Sequence, residues 1–240
     1  FAGYTKDAAK AEELAASDWH LLTTSSLIGT GTSSDYNNTI DIYGDTRMQE
    51  LSVNPGAIAK AVAPVEEEAA IVMTVESTDK PITITAGGLK GTKFSIDWGD
   101  GNKVEYEDLK KITNTPLGNT IKIYGDDILA LQANNIGLTA LDVTNAPKLF
   151  KLFCNNNKLS ELDLTKNTAL AALYCSENLI SKPLDISECT KMRAFDISRN
   201  AIPGQLDLSK MSSLSSFKCF NNAITELLLP KTAPLNTIDC

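Results

Sequence analysis

Histidine is almost missing from this chain, with His20 the sole example in 240 residues. Zinc motifs that need two imidazoles are therefore excluded, and a Ser-His-Asp or Cys-His unit would have to be built on that one side chain. Basic residues are outnumbered, 22 Lys+Arg against 30 Asp+Glu for a net charge of −8, which disfavours a nucleic-acid partner. No run of 18 or more apolar residues occurs, so no membrane-spanning helix is expected. The chain opens on Phe1 and not on Met, so an export signal or lipid anchor is expected to have been removed or to lie outside the sequence.

A chain of 240 residues is long enough for one large or two modest domains with a real core. Its charge is uneven: residues 1–127 carry 11 basic and 20 acidic side chains (net −9), whereas residues 128–240 carry 11 and 10 (net +1). The segment Pro64-Val65-Glu66-Glu67-Glu68 reads as a linker, and strand-like alternation starts just after it. The expected organisation is an N-terminal region over 1–68, a small β-sandwich over 69–127 and a repeat array over 128–240.

The array is the strongest signal. Leu149, Leu152, Cys154, Asn157 and Leu159 set a frame that returns as Leu170, Leu173, Cys175, Asn178 and Ile180. It returns again as Met192, Phe195, Ile197, Asn200 and Ile202, then as Leu214, Phe217, Cys219, Asn222 and Ile224, and restarts at Leu235, Ile238 and Cys240. The steps 152→173→195→217→238 are 21, 22, 22 and 21 residues, the period of a leucine-rich repeat solenoid. One such coil cannot bury its apolar edge alone, but stacked coils share a continuous interior. Second halves such as Leu162-x-Leu164, Leu184-x-Ile186 and Leu206-x-Leu208 alternate in and out, so both halves of a coil are expected to be short strands. The extra residue of the longer coils falls at Lys182-Pro183 and Pro203-Gly204-Gln205, where a corner tolerates it.

Asn157, Asn178, Asn200 and Asn222 recur where the chain turns, and buried amides there are expected to form a structural ladder that satisfies backbone groups of adjacent coils. Cys154, Cys175, Cys219 and Cys240 share one inward column, and Cys189 takes the place that Asn167 fills one coil earlier. Neighbouring coils bring Cys154 near Cys175 and Cys219 near Cys240. Side chains running parallel on strands about 4.8 Å apart are a poor disulfide geometry, so all five are expected to be reduced, buried thiols.

The frame L-x-x-L-x-C-x-x-N-x-L-x-x-L-D-L-S, as in Leu173–Ser187 and Phe195–Ser209, resembles the leucine-rich repeats of bacterial surface proteins related to internalins, over about half of the chain. Upstream, Phe94-Ser95-Ile96-Asp97-Trp98-Gly99-Asp100-Gly101 is a strand entering a glycine-rich turn. With the strand candidates Ala70–Glu76, Ile82–Ala86, Val104–Tyr106 and Thr120–Tyr124 it suggests a small sandwich. Its W-G-D-G turn resembles that of PKD-type modules, though the phenylalanine of the W-x-F-G-D-G pattern is absent. These resemblances imply an exported, cell-surface protein, of a kind common in Gram-negative gut anaerobes, that adheres to a protein or glycan without catalysis.

In the N-terminal region, Thr5–Ser17 reads as a helix capped by Thr5. The run Asn38–Asp45 echoes Asn119–Asp126 at an offset of 81, as a decayed copy of the sandwich-to-repeat junction would.

Chemistry is thin. His20 follows Asp18-Trp19 with no positioned partner, and a packed or exposed histidine is the preferred reading. Asp97, Asp100 and Asn102 are a weak calcium candidate, but D-x-x-D-x-N is not the EF-hand spacing and a turn-stabilising role is preferred. Glu105 and Glu107 share a strand face with nothing placed opposite them, as a glycosidase pair would require. No cofactor is expected. The informative residues are instead the outward ones of the first strand column, Lys151, Phe153, Tyr174, Asp196, Lys218 and Phe220, because exposed aromatics beside small neighbours build contact area at low entropic cost. Asp142, Asp163, Asp185 and Asp207 form a separate acidic stripe suited to solubility. Alternatives are a spacer or assembly element of a longer surface protein and, least favoured, a carbohydrate-active enzyme or peptidase. The array stops in mid-frame at Cys240, so a shortened chain, following disorder, or self-association through the uncapped C-terminal coil is expected.

Overall fold

A computed structural model describes residues 67–240. The expected helix over Thr5–Ser17, the echo at Asn38–Asp45 and His20 lie outside the described residues.

Apolar alternation builds the first strands. β1 (Ile71–Val75) and β2 (Ile82–Gly87) bury every second side chain, as Ile71, Met73 and Val75 and as Ile82, Ile84 and Ala86. β3 (Lys93–Asp97), β4 (Lys103–Glu107), β5 (Lys110–Asn114) and β6 (Thr120–Tyr124) follow, each joined by a short turn. β5 has no counterpart among the sequence-derived strands, because Ile112 is its only apolar residue and is flanked by Lys110, Lys111 and Thr113. Pairing with β2 holds it, with Ile84 opposite Ile112 and Thr85 opposite Lys111.

The next coil joins the two parts of the chain. Its first half supplies β7 (Ala130–Gln132) and its second half β8 (Leu138–Asp142). β8 pairs antiparallel with β1 and completes a five-stranded sheet of order β4-β3-β6-β1-β8. β7 pairs antiparallel with β2 on one side and, on the other, in parallel with β9 (Lys151–Phe153), the first strand of the regular repeats. β10 (Ala172–Tyr174), β11 (Ala194–Asp196), β13 (Ser216–Lys218) and β15 (Thr237–Asp239) continue in parallel, giving one eight-stranded sheet of order β15-β13-β11-β10-β9-β7-β2-β5. The sandwich strands and the coils therefore share a sheet and a single buried cluster running from Ile71 through Leu131 and Leu152 to Phe217.

The molecule is mainly β, with a solenoid of repeat coils after a small two-sheet sandwich, as the periodicity requires. The in-register steps Leu131, Leu152, Leu173, Phe195, Phe217 and Ile238 are the inward positions of successive strands. All but Ile238 are buried. Second halves of coils are less regular than expected: β12 (Pro203–Asp207) and β14 (Ala223–Leu228) pair as a separate two-stranded sheet, whereas 162–164 and 184–186 keep the in-out alternation without forming strands. Few backbone bonds link the second halves of those two coils, among them Leu179 N–H to Leu159 O and Ser181 N–H to Ser160 O.

The asparagine ladder forms. Asn178 Nδ2 donates to the Cys154 carbonyl (3.0 Å) and the Cys175 carbonyl (3.1 Å), while its Oδ1 accepts from Leu159 N–H (3.1 Å). Asn157, Asn200 and Asn222 repeat this bridging of their own coil to the preceding one. The residue before each ladder asparagine, Asn156, Glu177, Arg199 or Asn221, holds a positive φ of 54–57°, which sets the sharp inward turn.

The cysteines require a correction. Cys154, Cys175 and Cys189 are free and buried, but Cys219 and Cys240 are joined by a disulfide with a Cα–Cα distance of 4.6 Å. That separation lies inside the range disulfides span. Adjacent parallel strands are thus not barred from bridging.

Candidate functional site

The outward face of the long sheet is set by its register. Thr85, Gln132, Phe153, Tyr174, Asp196, Lys218 and Asp239 are consecutive partners across seven strands and point to one side. Alternation forces this, since their strand neighbours Ala86, Leu131, Leu152, Leu173, Phe195 and Phe217 are all buried. Beside them runs the row Ala130, Lys151, Ala172, Ala194, Ser216 and Thr237, whose small members leave the aromatic row standing proud.

Phe153 and Tyr174 meet edge to face, with centroids 4.8 Å apart and planes at 85°. Both rings are half-buried. Neither has a core role, because Leu152 and Leu173 fill the interior of the same strands. Lys151 is exposed next to this pair, and Phe150, which precedes it, is 42% exposed. Phe150 went unnoticed in the sequence because it falls outside the strict strand alternation. Its signal was a phenylalanine where the other coils place Ala171, Arg193 or Ser215.

Phe220 sits apart from the other two rings. It follows Cys219 at the row of Asn155, Ser176 and Ser198, three strands from Phe153, or roughly 14 Å at ordinary strand spacing. The Arg199 guanidinium lies 5.8 Å from its ring centroid. Asp196 is oriented by the chain itself, its Oδ1 accepting from Ser198 N–H (3.0 Å) and Ser198 Oγ (2.7 Å). Asn155 does the same for Ser176, at 2.9 and 3.0 Å. The edge of the face is therefore rigid and polar, with the aromatic pair beside it. Lys218 is half-buried between Asp196 and Asp239 in the row.

The other candidates are structural in geometry. Asp97 is buried, and its Oδ1 collects the N–H groups of Gly99, Asp100 and Gly101 at 2.8–3.1 Å. Asp100 accepts from Asn102 N–H and Nδ2, and these bonds hold its carboxyl below the usual range. The three residues thus close the W-G-D-G turn on itself. Gly99 has φ +104°, and a Cβ there would sit 2.5 Å from Gly118 N, so no larger residue fits. Glu105 and Glu107 lie exposed on β4, at the edge of the five-stranded sheet. Among the described residues no group of three or more His, Cys, Asp or Glu side chains is placed to hold a metal ion. No helix among them is long and apolar enough to cross a membrane.

The acidic stripe is a set of turn caps. Asp142, Asp163, Asp185 and Asp207 each accept the N–H of the Thr or Ser two residues on, at 2.8–3.0 Å. The Thr165 hydroxyl, the Ser187 N–H and the Ser209 side chain are the leading causes that hold the carboxyls of Asp163, Asp185 and Asp207 below their ordinary value. Burial pushes the free thiols the other way, Cys154 up to about 12 and Cys189 to about 11, which leaves them un-ionised and unreactive at neutral pH.

No protein-family model matches the chain, and no curated protein matches it. Among solved structures it is similar to one described as the functional domain of InlJ from Listeria monocytogenes, which includes a cysteine ladder. The match has 28% identity and a TM-score of 0.36, and covers 45% of this chain and 28% of that one. The chain thus spans well under a third of the length of that relative, and the fold assignment here stands on the strand order and register alone.

Proposed function

We propose that this chain is a non-catalytic recognition module of an exported bacterial surface protein, docking a protein or glycan on the outer face of its long sheet. Lys151, Phe153, Tyr174, Asp196, Lys218 and Phe220 are the contact residues, with Phe153 and Tyr174 at the centre. The half-exposed edge-to-face pair of Phe153 and Tyr174 carries this reading. An edge-to-face pair fixed on two hydrogen-bonded strands costs little entropy to present, and aromatic anchors of this sort dominate binding energy where they are desolvated. The Cys219–Cys240 disulfide supports export, since such bonds persist in oxidising compartments. The W-G-D-G turn supports a PKD-like sandwich as the element on which the repeats are mounted.

The test is a screen of glycans and surface proteins with the wild type, followed by titration of any binder against Phe153→Ala/Tyr174→Ala. Loss of about 30-fold or more in affinity is expected, with Asp163→Asn on the acidic stripe unchanged. A binder that tolerates the double alanine variant, or is lost with Asp163→Asn, refutes the assignment of the face.

A further inference from the structure

We infer that the rim of the long sheet where the sandwich meets the first coils is a membrane-docking edge. It seats on an anionic lipid surface, with Leu89 and Leu109 inserted among the acyl chains and the lysines beside them on the headgroups. These residues are not among the contact residues of the sheet face, so the two surfaces can be tested apart.

Two turns at one end of the sandwich build the edge. Residues 88–92 join β2 to β3, and residues 108–109 join β4 to β5. The turns are braced against each other: Gly91 N–H donates to Asp108 Oδ1, Asp108 N–H donates to the Thr92 carbonyl (2.8 Å), and Thr92 N–H closes the first turn on the Leu89 carbonyl (2.9 Å). Gly87, with φ +125°, lets the backbones touch, since a Cβ there would lie 2.1 Å from the Asp108 carbonyl oxygen. On this rigid tip Leu89 is 74% exposed and Leu109 53%. Turn chemistry favours Gly, Asn, Asp or Ser at such places, and neither leucine gains burial for the fold.

The apolar row continues onto the array. Leu129 N–H donates to the Gly87 carbonyl (2.9 Å), Phe150 N–H to that of Leu129 (2.8 Å), and Ala171 N–H to that of Phe150 (2.9 Å). Leu129 is half-buried and Phe150 partly exposed, so a strip runs from the sandwich tip along the rim where the parallel strands begin.

Cations line this strip. In three separate segments an exposed apolar residue is followed directly by lysine: Leu89-Lys90, Leu109-Lys110-Lys111 and Phe150-Lys151. Arg193, also exposed, follows Ala171 in the row. Most carboxylates nearby are engaged: Asp108 holds Gly91, Asp127 is paired with Lys148 at 2.6 Å, and Glu107 stands opposite Lys93 across β3 and β4, which leaves Asp126 of the turn after β6. Two leucines on a projecting tip are covered best by a phase that yields around them. Lysines one residue behind the apolar crest reach headgroup phosphates while their stems stay with the leucines. The chain as a whole carries −8, so an anionic surface repels its other faces and selects this rim.

Flotation of the full chain with vesicles of phosphatidylcholine, with and without about 30% phosphatidylglycerol, tests this. Binding to the anionic vesicles only, weakened by added salt, is expected. Leu89→Ser/Leu109→Ser and Lys90→Gln/Lys110→Gln/Lys111→Gln should each lower the partition coefficient about 10-fold or more at an unchanged urea midpoint, whereas Phe153→Ala/Tyr174→Ala should leave it unchanged. A polarity-sensitive dye on Lys90→Cys should shift to the blue on the same vesicles, a readout that removes no leucine. No binding to the anionic vesicles, an unshifted dye, or equal binding of wild type and rim variants would each overturn the docking edge. So would a dimer in sedimentation velocity that Leu89→Ser/Leu109→Ser abolishes, which would make the rim a contact between copies.

Discussion

Asn178 shows how much of this fold rests on single side chains. Its amide serves the Cys154 and Cys175 carbonyls and the Leu159 N–H in a dry turn, so Asn178→Ala strands that N–H and leaves the two carbonyls only Asn157 Nδ2 and Asn200 Nδ2 as amide donors. The expected cost is about 2–4 kcal/mol, read as a lowered urea midpoint at unchanged slope. The turn-capping aspartates act more weakly and through pH. Asp163, Asp185 and Asp207 are held below the ordinary carboxylate value of 3.8 in the folded chain, so they bind protons less readily folded than unfolded. Their contribution is fully present above that value and is lost as pH falls from 3.8 through the lower folded values. The urea midpoint is expected to be flat on this account from neutrality to about pH 4 and to fall below it, with a shallower fall in Asp163→Asn/Asp185→Asn. These residues were legible in the sequence as a ladder and a stripe, because steps of 21 and 22 residues expose any recurring side chain. The stripe's capping role was not, since it depends on which hydroxyl each carboxylate meets.

Strands and coils behave as the repeat predicts where burial decides and depart from it where it does not. The inward positions, the Cys column and the alternation of the second halves follow from apolar spacing. β5 was hidden because one isoleucine among lysines and threonines gives no period. The Cys219–Cys240 bond was misjudged because strand spacing was taken to bar a bridge, whereas a Cα–Cα distance of 4.6 Å lies inside the range disulfides span. Thiol labelling separates the two kinds of cysteine: native protein should show no reaction of Cys154, Cys175 or Cys189 with iodoacetamide at neutral pH, and reduction should add only Cys219 and Cys240. Truncating an inward ring should be costly, and Phe195→Ala, which also removes its stack on Phe217 at 5.4 Å, is expected to lose about 3–5 kcal/mol. Truncating Phe153 should cost far less, since its role is on the outer face.

At the scale of the molecule, the sandwich and the coils are joined by the coil that supplies β7 to one sheet and β8 to the other. The array read from residue 128 onward takes in that coil, since Leu131 lies 21 residues before Leu152 in the same frame. One sheet presenting one face from Thr85 to Asp239 is the physical premise of the recognition surface. Its direct test is urea unfolding in a Trp19→Phe background, following Trp98 fluorescence in the sandwich and pulsed alkylation of Cys175 in the array. A shared sheet and core predict a single midpoint for both probes. Two separated midpoints, with Cys175 labelled while Trp98 is still buried or the reverse, would contradict it.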